Sequence, residues 1–151
     1  MKQRFQVSLG LLMLSLLVAK PAIANVSLVT NPASTATSLD LDGRGNSSTH
    51  IVKVADIYLS TDNPQGFTVT ISSSSLYKSG GTSIPFQITT VADGAGTPSA
   101  GSFTTPSGHN YTFSTSAVGT GDRDVYIRYL PAALQDPGSY SASITITASD
   151  N

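Results

Sequence analysis

The chain has 151 residues, with 39% apolar and 11% charged side chains and neither Cys nor Trp. Without its first 24 residues it keeps five basic side chains, nine Asp and no Glu, a net charge of −4. The absence of Cys excludes a disulfide framework, a thiolate zinc site and a Cys nucleophile, and five scattered cations give no footprint for nucleic acid. Ser and Thr supply 39 of residues 25–151, a composition that disfavours helices because hydroxyls compete with the backbone.

The N-terminus reads as an export signal. Lys2 and Arg4 precede an apolar run, Leu9 to Ala19, and Ala22-Ile23-Ala24 is an A-x-A cleavage pattern. The run is shorter than the roughly 20 residues that span a bilayer. Residues 1–24 are therefore expected to be a signal peptide and 25–151 a single domain. The expectation is an exported protein with no membrane insertion after cleavage.

From Asn25 onward the dominant pattern is alternation of period two, the mark of half-buried strands. Short runs lie at Val26–Val29 and Ser38–Leu41. His50 to Leu59 carries apolar groups on both faces, which suits a central strand or one that bends. Phe67, Val69 and Ile71 alternate with Thr68, Thr70 and Ser72. Ile84, Phe86 and Ile88 follow the same rule, as do Tyr111 and Phe113, then Val125, Ile127 and Tyr129. Pro85 lacks an N–H, so its strand is expected at an edge or with a bulge. In the last run Tyr140, Ala142, Ile144, Ile146 and Ala148 oppose Ser141, Ser143, Thr145, Thr147 and Ser149. Turn signals separate the runs, notably Asp62 to Gly66, Lys78 to Gly81 and Asp136-Pro137-Gly138-Ser139. Pro131 to Leu134 suits one helical turn. The pattern predicts an all-β, immunoglobulin-like antiparallel β-sandwich of about seven strands.

Catalytic chemistry finds little support in this chain. His50 and His109 stand outside metal-ligand spacing, and both are expected at solvated positions. Asp40 to Asn46 has the look of a calcium loop, but Arg44 takes a ligand position and Ile51 stands where a bidentate Glu belongs; an Asx turn is the expectation. No Gly-x-Ser-x-Gly elbow occurs. Asp122 and Asp124 are expected in a Gly-rich turn, ionised and solvated. Asp56 is an acid within an apolar strand, expected to pair with Lys53, Arg123 or Arg128. Tyr58, Tyr77 and Tyr126 are the tyrosines expected at the surface. The chain is accordingly expected not to be an enzyme and to carry no catalytic residues, cofactor or metal.

The closing third runs Val125-Tyr126-Ile127-Arg128-Tyr129, then Leu130 to Asp136, then Pro137-Gly138-Ser139-Tyr140 and the last alternating strand. With Gly66-Phe67-Thr68-Val69-Thr70 and Gly80 to Phe86, this resembles secreted spore coat protein U and related chaperone–usher pilin-like domains. The resemblance implies a structural or adhesive subunit of a surface fibre, exported through the periplasm and polymerised by strand donation. Its partners would be copies of itself or related subunits, with a periplasmic chaperone and an outer-membrane usher. Residues 25–35 would hold the donor, with Val26 and Leu28 on one face and Val29 on the other. Tyr140, Ala142, Ile144 and Ile146 would mark the receiving edge. The cysteine pair of many pilins is absent. The alternative is a self-complete extracellular module for carbohydrate or matrix that does not polymerise.

Overall fold

The computed structural model describes residues 25–151. The expected signal peptide, residues 1–24, lies outside them. No helix among the described residues is long and apolar enough to cross a membrane.

Among the described residues nine strands form in chain order: β1 (Val26–Pro32), β2 (His50–Thr61), β3 (Phe67–Ser73), β4 (Phe86–Ala92), β5 (Thr105–Pro106), β6 (Tyr111–Ser114), β7 (Gly119–Thr120), β8 (Arg123–Tyr129) and β9 (Ile144–Asp150). Two of them, β5 and β7, are two-residue edge pieces, which leaves seven longer strands, as the alternation predicts. One sheet has the order β1-β2-β8-β4-β5, with β7 also on β2; the other has the order β6-β3-β9. Every ladder is antiparallel. The molecule is an all-β antiparallel sandwich.

The inward residues of both sheets meet in one core. Val54, Ile57 and Leu59 of β2, Phe86 and Ile88 of β4, and Val125, Ile127 and Tyr129 of β8 face Phe67, Val69 and Ile71 of β3. Tyr111 and Phe113 of β6 close one side. Thr90 and Tyr111 bond across the two sheets through their hydroxyls at 3.0 Å, so both hydroxyls are satisfied.

Apolar groups on both faces of the His50 run now have a cause. β2 is a central strand, flanked by β1 and β8, and a bulge at Val54 shifts its register between Lys53 and Ala55. The extra residue puts Val54 into the core and leaves Lys53 and Asp56 together on the outer face.

Three expectations are corrected. Ser38–Leu41 is not a strand; it follows a single 3-10 turn at Ser34–Thr37 and lies as a wall beside the sandwich. Pro85 precedes β4 instead of sitting inside it, and β4 lies between β8 and the short β5. The last strand begins at Ile144, not Tyr140; upstream of it the pairing continues through the Ser74 N–H on the Ser143 carbonyl and an isolated bridge between Tyr77 and Ser141. At Pro131–Leu134 the chain makes one turn, closed by the Gln135 N–H on the Ala132 carbonyl at 3.1 Å.

The corner before β9 is tied by a tyrosine. Tyr140 Oη donates to the Asp136 carbonyl at 3.1 Å and accepts from Gln135 Nε2 at 2.7 Å. Gly138 takes the positive φ, 127°, that the Pro-Gly turn needs. This tyrosine, bonded back to the backbone four residues upstream, fixes the turn that leads into β9.

Candidate functional site: an open groove between two edge strands

Two strands border the sandwich on the same side. β1 ends the larger sheet and β9 ends the smaller one. They run antiparallel across the gap. The start of β1 pairs with Thr61, and Thr61 Oγ1 donates to Asp150 Oδ1 at the end of β9, 2.8 Å away. The C-terminus is pinned there as well, since Asn63 Nδ2 donates to the Asn151 carbonyl at 2.9 Å. At the other end the two strands stand apart.

The gap is a groove of about 750 Å³. Its floor is core: Val54, Leu76, Phe86 and Ile127. One wall is Thr30 and Pro32 with Ala36 to Leu41; the other is Gly138 to Ala142 with Ile144 and Ile146.

Backbone parity decides what the β9 wall offers. Ser141 exchanges both of its backbone bonds with Tyr77, at 2.8 and 2.9 Å. The Ser143 carbonyl accepts from Ser74, and the Asn151 N–H donates to Gly66. Odd-numbered residues thus turn their N–H and C=O toward β3. Even-numbered residues, Ala142, Ile144, Ile146 and Ala148, turn theirs to the free edge, because successive residues of a strand alternate. On β1 the Ala33 N–H bonds the Val54 carbonyl, so the odd residues again face inward and Val26, Leu28 and Thr30 face the gap. Pro32 has no N–H to offer.

The sequence-derived site residues divide accordingly. Tyr140, Ala142, Ile144 and Ile146 are brought together on one wall of the groove. Val26 and Leu28 are half-buried against the core of their own molecule. The segment expected to be a donor is the edge strand of its own sheet, paired with β2 from Val26↔Thr61 to Pro32↔Ala55. On the opposite wall, Ser38–Leu41 reads as a strand from Leu39 and Leu41, but it lies in the irregular segment after the 3-10 turn.

A second cluster lies on the outer face of the larger sheet. Asp56 stands opposite Asp124, and Lys53 Nζ lies 2.5 Å from Asp56 Oδ1 and 2.8 Å from Asp124 Oδ1. Of the three expected partners Asp56 has Lys53. Asp124 is not solvated: it is 2% exposed. Burial pushes its pKa up, but the Lys53 ammonium and the Gly94 N–H outweigh that and hold it below the usual carboxylate value. The same bonds to Asp124 and Asp56 raise the Lys53 ammonium above its ordinary range. Tyr126 is buried too, contrary to expectation, together with Thr89, Pro98 and Phe103. Tyr58 and Tyr77 are exposed as expected.

Asp93 brings a third carboxylate within 4.8 Å of Asp56 and Asp124. Lys53 bridges two of the three, Asp56 and Asp124. In the Asp40 loop the Asp42 carboxylate takes the Ser48 N–H at 2.6 Å and lies 3.1 Å from His50 Nε2. Asp42 N–H bonds Asp40 Oδ1 at 2.9 Å, the expected Asx turn. His50 is not solvated; it stacks on Tyr129 with ring centroids 5.2 Å apart.

The fold and groove define a β-sandwich with one open edge seam. No protein-family model matches the chain, and no curated protein matches its sequence.

Proposed function

We propose that the chain is an exported structural or adhesive surface subunit, pilin-like or coat-like, that assembles by β-strand donation. One observation carries this reading: the apolar groove whose β9 wall presents both unpaired backbone groups and inward Ile side chains from the same residues. An extended segment laid along that wall gains a hydrogen-bond ladder and buries alternate side chains together, which is β-augmentation. The wall from Tyr140 to Ile146 has room for a strand of roughly 20 Å at about 3.3 Å per residue. Residues 26–32 are engaged as β1, so the donor is an extended segment of a related subunit or a chaperone, or β1 itself once exchanged between copies.

The test fills the groove without touching the core. Ala142 is exposed on the groove wall, so Ala142→Trp leaves the body folded and occludes the donor. Surface polymer is expected from cells making the original chain and is expected to vanish in the variant, with export and circular dichroism unchanged. Polymer that persists in Ala142→Trp, or an original chain that is monomeric in its native cell envelope, overturns the proposal.

A further inference from the structure

Residues 141–149 read Ser-Ala-Ser-Ile-Thr-Ile-Thr-Ala-Ser. Around Thr145 this segment is nearly its own mirror image. Ile144 matches Ile146, Ser143 matches Thr147, Ala142 matches Ala148 and Ser141 matches Ser149. Such a strand is self-complementary when it meets a second copy of itself antiparallel. We propose that β9 is a homodimerisation edge, pairing with β9 of a second copy about a two-fold axis at Thr145.

The backbone supports this register independently of the side chains. A two-fold axis at Thr145 sets Ile144 opposite Ile146 of the other copy and Ala142 opposite Ala148. These are the even-numbered residues whose N–H and C=O already face the free edge. Both members of each pair therefore exchange their bonds, as an antiparallel ladder requires. Thr145 meets Thr145 of the other copy as a pair that makes no backbone bond, where side chains come closest. Hydroxyls face hydroxyls on the outer surface, and Ile meets Ile on the inner one.

Guards against such pairing are missing from this edge. Protected edge strands carry Lys, Pro, bulges or inward charges, and residues 140–149 hold none of these charges and no Pro. Asp150 carries the one charge on β9, and in this register it meets Tyr140, so the two Asp150 side chains lie at opposite ends of the junction. The result joins two three-stranded sheets into one of six, in the order β6-β3-β9-β9-β3-β6. It also sets the Ile144 and Ile146 of each copy beside the groove of the other.

This pairing uses the same edge as strand donation but does not depend on it. A chain that never accepts a donor still dimerises, and a donor displaces the dimer.

The native chain lacks Cys, which makes the register directly testable. Facing Cα atoms at a pair without backbone bonds lie about 4.5 Å apart, within disulfide range. Thr145→Cys is expected to form a disulfide dimer under mild oxidation at least about tenfold faster than Thr147→Cys, because only the former meets its own copy. Both positions are exposed, so neither variant disturbs the core. Equal rates for the two, or no dimer from Thr145→Cys, overturn the proposal. In sedimentation the original chain is expected to dimerise with rising concentration, and Thr145→Lys to remain monomeric with an unchanged spectrum. An original chain that stays monomeric into the millimolar range also overturns it.

Discussion

Asp56 and Asp124 face each other directly across β2 and β8, two carboxylates in one cross-strand pair. Like charges so placed repel, and the pair persists because the Val54 bulge brings Lys53 onto the same face, between them. Removing the lysine leaves a buried carboxylate without its counter-ion. Lys53→Met is expected to cost about 3 kcal/mol, the low end for breaking a buried pair, since the lysine is itself 32% exposed. Lys53→Met with Asp124→Asn should cost less than the sum of the two single changes. Urea denaturation of the four proteins measures both.

The same triad gives stability a direction with pH. The folded pKa of Asp124 lies below its unfolded value. Its contribution is therefore present above the unfolded pKa, near 3.9, and fades as pH falls through the folded one. Lys53 is raised in the folded state, so its contribution is full below the unfolded value of about 10.5 and disappears only at higher pH. The deficit of Lys53→Met relative to the original chain should be constant near neutrality and shrink below about pH 4. A deficit unchanged at pH 3 would mean that the lysine acts through its stem and not through its charge.

On the alkaline side Tyr129 adds a second limb. Burial, then the nearby charge of Asp40, pushes its phenol up to about 12. In the unfolded chain it ionises near 10, so stability falls as pH rises from 10 toward 12. Tyr129→Phe removes this limb, with a loss of about 1 kcal/mol at neutral pH from the 3.0 Å bond to the Asp40 carbonyl. Thermal melts at pH 8 and pH 11 separate the two effects.

Much of the fold is legible in the alternation because each long strand has one wet and one dry face. Phe67–Ser73 and Tyr111–Ser114 fall where the period puts them. The period fails where Thr is buried. Thr89 and Thr90 carry β4 on to Ala92, but hydroxyls read as polar and the apolar alternation stops at Ile88. It fails again at Asp124, whose outer-face position is covered; the buried Pro98 and Phe103 lie in the segment leading away from β4, which carries no period of its own. In the groove, the β9 wall was readable because Ile144 and Ile146 alternate with hydroxyls. The opposite wall misleads: Ser38–Leu41 reads as a strand, but the segment is held by a turn and by Thr35 Oγ1 on the Lys53 carbonyl, contacts that leave no periodic trace.

Glycine at position 66 is required on two independent grounds. Its φ is +76°, and a Cβ there would lie 2.3 Å from the Thr115 carbonyl oxygen. That carbonyl belongs to a junction in which Thr115 also bonds Phe67 and Asn151. Gly66→Ala is expected to cost about 3 kcal/mol, combining left-handed strain with a steric conflict against backbone. Gly45→Ala, at similar φ but with open space around its Cβ, should cost only the strain, about 1 kcal/mol. Equal losses for the two in denaturant titrations would show that conformation alone matters at position 66.

Ile71 and Ile146 are partners across β3 and β9, yet they sit in different surroundings. Ile71 is fully buried, whereas Ile146 lines the groove and is half-buried. Truncation to Ala should cost roughly 4 kcal/mol at Ile71 and about 1–2 at Ile146 in the isolated chain, because a side chain already touching solvent leaves little new cavity. Any strand that covers the groove removes that difference. In an assembled form, by donation or by β9 pairing, Ile146→Ala should approach the cost of Ile71→Ala and weaken association. Comparing both variants by denaturation of the isolated chain and of the assembly tests whether the groove is closed in use; a penalty at Ile146 that is the same in both forms would show that it stays open.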